Sequence, residues 1–101
     1  MAIAAARAYA VVVATITDTA QNLDDLGFTA AEVALADYAH ISVETADIRY
    51  YYDGSTPTSS NGHLVAAGNS FVLEGRVNTG RALFIRSGGT SATAQITLST
   101  N

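Results

Sequence analysis

The sequence predicts an all-β fold, a compact antiparallel β-sandwich or small barrel. Three observations predict it. Short runs rich in Val, Ile, Thr and Tyr alternate apolar and polar residues, the period of a half-covered strand. Glycine- and asparagine-bearing turn signals separate these runs at intervals of roughly 8–12 residues. The chain has 101 residues, 49% of them hydrophobic, with no internal repeat or low-complexity linker, which suits one core and a single domain over 1–101.

Residues 1–8 are Ala-rich and carry no capping residue, so they read as an extended N-terminal arm. From Tyr9 to Thr19 the run becomes β-branched. Val11, Val13, Thr15 and Thr17 fall on one face, and Val12, Ala14 and Ile16 on the other. Both faces start apolar, so cover on two sides is expected. Thr29 with Glu32 three residues on has the form of a capping box. A single short helix over 29–36 therefore competes with a loop, and a helix of about two turns needs tertiary support. Ile41, Val43 and Thr45 alternate with Ser42 and Glu44 as a strand, until Ala46-Asp47 breaks the register at a bulge or corner. Ile48, Tyr50 and Tyr52 share one face of the next strand, with Arg49 and Tyr51 on the other. Asp53-Gly54 ends it. A polar loop follows to His63 and contains the chain's one proline, Pro57. Phe71–Glu74 and Ala82–Ser87 read as further strands, joined through Asn78-Thr79-Gly80 as a turn. In the last run, Ala92, Ala94, Ile96 and Leu98 alternate with Thr93, Gln95, Thr97 and Ser99, the cleanest amphipathic strand in the chain.

Charge narrows the function classes. Charged residues make up 14% of the chain, well under the usual quarter, and the net charge is −4. There is no lysine; the cations are Arg7, Arg49, Arg76, Arg81 and Arg86. Nucleic-acid binding needs a dense basic patch and is disfavoured. Arginine without lysine suits planar, hydrogen-bonded pairs at interfaces, and a charge-poor surface suits assembly with partners. The absence of cysteine excludes disulfides and thiolate metal sites. The apolar run Tyr9–Ala14 is too short to span a bilayer, and no membrane partner is expected.

No catalytic or cofactor-binding set stands out. His40 and His63 lack accompanying ligands, so a hydrogen-bonded or solvated histidine outweighs a metal role. The spacing of Asp18, Asp24 and Asp25 does not match a calcium loop, and a solvated acidic loop is the simpler reading. Glu44 and Asp47 lie close in sequence, yet nothing places them across a cleft. The segments GRVNTGR and RSGGTS lack the lysine of a phosphate loop and read as hairpin turns. Enzymatic activity is not expected. The run Tyr50–Tyr52 beside Arg49 leaves three readings open: core packing, subunit contact or ligand binding, including a carbohydrate or host receptor.

Three stretches carry a resemblance. Glu44, Ala46, Ile48, Arg49, Tyr50, Asp53, Gly54, Pro57 and Thr58 fit E-x-A-x-I-R-Y-x-x-D-G-x-x-P-T; Gly62, His63, Ala67 and Gly68 fit G-H-x-x-x-A-G. Ile85, Arg86, Gly88, Thr90 and Ser91 open a C-terminal I-R-x-G-x-T-S strand. Over roughly residues 38–98 the chain resembles small virion structural proteins of tailed bacteriophages. The resemblance implies a β-rich virion component without enzymatic activity. Its favoured role is capsid decoration (cement), binding the major capsid protein at the capsid surface after synthesis in the host cytoplasm. A head–tail or tail-associated position is the alternative within the same family. A homo-oligomer is expected, a trimer among the options. The interface candidates are Arg49, Tyr51, Asp53, Pro57, His63 and Arg86.

Overall fold

The computed structural model describes residues 7–101. Seven strands form two antiparallel sheets, joined by two short helices: β1 (Arg7–Ile16), α1 (Ala30–Ala34), β2 (Tyr38–Glu44), β3 (Ile48–Tyr51), β4 (His63–Val65), β5 (Ser70–Glu74), α2 (Arg76–Arg81), β6 (Leu83–Arg86) and β7 (Ala92–Thr100). The larger sheet has the order β1-β7-β2-β5 and the smaller β4-β3-β6. The all-β expectation holds, and the two sheets face each other across one core.

β7 alternates as its sequence demands. Ala92, Ala94, Ile96 and Leu98 are all fully buried, in the centre of the larger sheet between β1 and β2. Ile41 and Val43 of β2 join them, while Ile48 of β3 and Phe84 of β6 close the core from the smaller sheet. Phe71 of β5 stacks on Tyr50 of β3 with ring centroids 4.5 Å apart, a direct aromatic contact between the sheets. Where the chain crosses from β2 to β3, Thr45 adopts a positive φ of 69°. Its hydroxyl accepts a hydrogen bond from the Thr93 N–H at 3.1 Å, which ties this corner to β7. The register break expected at Ala46-Asp47 is thus the turn from one sheet to the other.

α1 is the helix whose capping box was legible. The Thr29 hydroxyl accepts from the Glu32 N–H at 3.2 Å, and the Glu32 carboxylate accepts from the Thr29 N–H at 2.9 Å. Tertiary support comes from Val33, buried against the core, and from the Tyr9 hydroxyl, which donates to the Glu32 carbonyl. The segment Arg76–Arg81 overturns its reading as a turn: it is a second helix, α2. What holds it is Thr79. That side chain is fully buried and donates its hydroxyl proton to the Ala36 carbonyl at 2.8 Å.

Other expectations are corrected. Arg7 and Ala8 pair with Thr100 and Ser99 and so belong to β1, while residues 1–6 of the expected arm lie outside the described residues. β4 begins at His63, where the polar loop was expected to end, and its three residues carried no strand expectation. The two-sided cover expected for β1 is absent: Val12, Ala14 and Ile16 face inward, but Val11 and Val13 are 65% and 63% exposed. Among the described residues no layer covers that face of the sheet, since both helices and the smaller sheet pack on the opposite side.

Candidate functional site

The polar loop from Asp53 to Gly62 joins β3 to β4 and sits at one end of the smaller sheet. Such a loop would be mobile if its only ties were its ends. Here Arg49, in the middle strand of that sheet, reaches under it. Its Nη1 donates to the Gly62 carbonyl at 2.9 Å, and its Nε lies 3.2 Å from the Ser59 carbonyl and 3.3 Å from the Ser87 hydroxyl. Ser87 in turn donates to the Ser59 carbonyl at 3.2 Å, so three segments meet at one guanidinium. The fixed fork of the guanidinium suits this better than a flexible ammonium.

The loop has its own internal supports. Pro57 is buried beneath it, and Gly62 holds a φ of 134° with no room for a side chain. A Cβ at Gly62 would lie 3.1 Å from the Arg49 Cβ and 3.2 Å from the Pro57 Cβ. A turn from Thr58 to Asn61 closes through the Thr58 N–H, which donates to the Asn61 carbonyl at 2.9 Å. At the other end the Asp53 carboxylate accepts from the Ser55 N–H at 2.9 Å, and Arg81 of α2 donates to the Asp53 carbonyl. The Ser55 contacts hold the Asp53 carboxyl below its usual range.

Beside this loop an aromatic series runs from the core to the surface. Tyr50 packs on Phe84 and Phe71 within, and its ring lies 5.4 Å from that of His63. Burial, with the neighbouring Tyr52, pushes the Tyr50 phenol above its ordinary pKa. Tyr52 is 41% exposed and stacks on His63 at 5.9 Å, while Tyr51 meets His63 edge-on at 5.8 Å. Tyr51, Tyr52, Asp53 and His63 together line an open cleft.

The six interface candidates therefore divide. Tyr51, Asp53 and His63 come together in the aromatic cleft. Arg86 lines a second cleft on the opposite flank of the loop, with Asp18, Thr58 and Ser59. Arg49 spends its donors on the loop's backbone, so its role is to position that loop. Pro57 borders the same second cleft, with its ring buried beneath the loop as an anchor. Sequence reasoning missed Arg81, whose contact with Asp53 depends on a helix it did not foresee. It also grouped Tyr52 with Ile48 and Tyr50 on one strand face, whereas the strand ends at Tyr51 and the Tyr52 ring stands exposed.

Among the described residues no three His, Asp or Glu side chains converge as a metal site would require, and no helix is long and apolar enough to cross a membrane. No protein-family model matches the chain, and no similar sequence or structure was found among curated proteins or solved structures.

Proposed function

We propose that this chain is a non-enzymatic structural protein of a tailed-bacteriophage virion, a decoration (cement) protein that binds the major capsid protein and stabilises the shell from outside. The observation that carries this reading is the exposed loop 53–62, held in one conformation by Arg49, Pro57 and Arg81. A loop ordered before contact binds without the entropy cost of ordering it, the property a repeated weak contact on a shell requires. Three of the residues that fix the loop, Arg49, Pro57 and Gly62, are among those that carry the virion resemblance, and Arg81 is not. A ligand that binds only the assembled shell stabilises it by mass action.

The test uses capsid shells of the phage that encodes the chain, with and without the purified protein. Decorated shells are expected to rupture at higher temperature than bare ones, and Tyr51→Ala with His63→Ala should reduce loading while the fold persists. Equal rupture temperatures, with the protein shown to be bound, would remove the cement role; no binding at all would remove the capsid partner.

The aromatic cleft favours a second reading. Tyr51 and Tyr52 present ring surface beside the Asp53 carboxylate, a combination that suits the apolar face and hydroxyls of a sugar. A glycan array showing saturable binding lost in Tyr52→Ala would support a host-receptor role. An array without hits would end it.

A further inference from the structure

We propose that the free edge of β1 pairs antiparallel with β1 of a second copy of this chain, joining two larger sheets into one across a two-fold axis. Three observations on the strand carry this, and none depends on the cement reading.

The first is an open hydrogen-bonding edge. Among the described residues β1 is the outermost strand of its sheet and pairs only with β7. Among the described residues, none from Arg7 to Ile16 makes a backbone hydrogen bond outside its ladder with β7; the first such bond comes at Thr17, whose carbonyl accepts from the Arg86 N–H at 2.8 Å. Every second residue of the strand thus offers an N–H and a C=O to whatever lies alongside. The second is composition. Edge strands are normally protected by lysine, proline, a bulge, inward charge or brevity. β1 spans ten residues, and between Arg7 and Asp18 it has neither charge nor proline; its one irregularity is the register shift between Ala8 and Ala10, which leaves Ala10 to Ile16 in regular pairing. Its outer face shows Val11 and Val13, while the outer faces of β2 and β7 show His40, Ser42, Glu44, Thr93, Gln95 and Thr97. Apolar exposure on this face is greatest at the unpaired edge.

The third is charge complementarity, which selects a second copy as the occupant. An antiparallel seam about a two-fold axis sets each residue opposite one of the same face. With Val12 opposite Val12 of the copy, Val11 faces Val13 and Ala10 faces Ala14; the register shift between Ala8 and Ala10 makes Tyr9 an extra residue, its hydroxyl turned to the Glu32 carbonyl. Counted across that shift, Arg7 falls opposite Ile16 and diagonal to Asp18 of the copy, and the symmetry makes that approach twice. Arg7 has no ion pair among the described residues, and the Asp18 side chain is 73% exposed with only a loose 3.9 Å approach to Arg86. The strand therefore carries opposite charges at its two ends and none between them. Such an interface is isologous and closes at two copies, so the seam yields a dimer and not a trimer. A single two-strand seam is small beside the roughly 1,200–2,000 Å² of standard interfaces, so the dimer is expected to dissociate on dilution.

Sedimentation equilibrium of the full chain, from micromolar to several hundred micromolar, reads the association directly. A monomer–dimer equilibrium is expected. Val13→Lys, which adds the charge that protected edges carry, should weaken it about tenfold or more with an unchanged circular dichroism spectrum. Arg7→Glu and Asp18→Arg should each weaken the dimer, and the double exchange Arg7→Glu with Asp18→Arg should restore it. Because Arg7 and Asp18 lie on the surface at the strand ends, the exchange tests pairing without disturbing the core. A wild-type chain that stays monomeric at the highest concentration overturns the proposal. So does a dimer that survives Val13→Lys, or one that the double exchange fails to recover.

Discussion

Asp37 shows how much one side chain can hold. It lies just ahead of β2, where one carboxylate oxygen accepts from Arg76 Nε at 2.9 Å. The other accepts from the Thr100 hydroxyl at 3.0 Å and from the Asn101 N–H at 2.9 Å. Its backbone adds bonds to Ser99 and Gly75. The start of β2, the end of β7 and the N-terminal turn of α2 are thereby fastened at one point. These donors, the Asn101 N–H foremost, hold the Asp37 carboxyl below the usual carboxylate range. The ionised form is the one the fold favours, so its contribution is complete above the unfolded-chain value of about 4 and fades as pH falls through the lower folded value. Thermal denaturation followed from pH 7 down to pH 2 should show melting temperature falling in that acid window. Asp37→Asn is expected to lower it at neutral pH and to flatten the acid decline, and an unaltered acid slope would contradict the assignment.

At the scale of elements, the loop between β3 and β4 depends on a neighbour and not on its own sequence. Arg49→Ala removes hydrogen bonds made by a charged donor, each typically worth about 1.5–3 kcal/mol when protected and less where water competes, as here. Amide hydrogen exchange across residues 55–62 is therefore expected to accelerate by roughly an order of magnitude, while the amides of β7 keep their protection. Uniform acceleration across both would mean that Arg49 supports the whole fold. The same loop marks how far the sequence could be read. β7 was legible residue by residue because every second side chain is buried, and α1 because Thr29 and Glu32 satisfy each other locally. β4 was not, since a three-residue strand is set by pairing with β3 and has too few residues to show a period. α2 was hidden for a related reason: its sequence is short and glycine-bearing, and its stabilising contact is Thr79 to a carbonyl 43 residues away. The aromatic cleft was half legible. Tyr51, Asp53 and His63 could be singled out by type, but which flank of the loop each would occupy depended on strand pairing.

The whole molecule rests on a single interior shared by both sheets. Ile96 sits fully buried in β7, the strand that pairs with both β1 and β2, and belongs to the same cluster as Ile48 and Phe84 of the facing sheet. Ile96→Ala is expected to cost about 2–5 kcal/mol, a large share of the roughly 5–15 kcal/mol available to a domain of this size. Urea denaturation should shift to a lower midpoint as one transition, with tyrosine fluorescence and far-ultraviolet dichroism moving together. Separate transitions would show that the sheets unfold independently. The exposed valines of β1 belong to this scale too. Alternation told that one face of the strand is buried, but whether anything covers the other depends on where both helices and the second sheet come to lie.

The strand order β1-β7-β2-β5 also sets a timetable. β7 lies between β1 and β2, so neither of these can complete its hydrogen bonding before residues 92–100 exist. During synthesis β1 must wait, unpaired on both edges, while some 75 residues are added, as judged from the interval between Ile16 and Ala92. At roughly 5–20 residues per second that wait lasts several seconds, long enough for a β-branched strand with no charge after Arg7 to need shelter in the cell before its proper neighbour arrives.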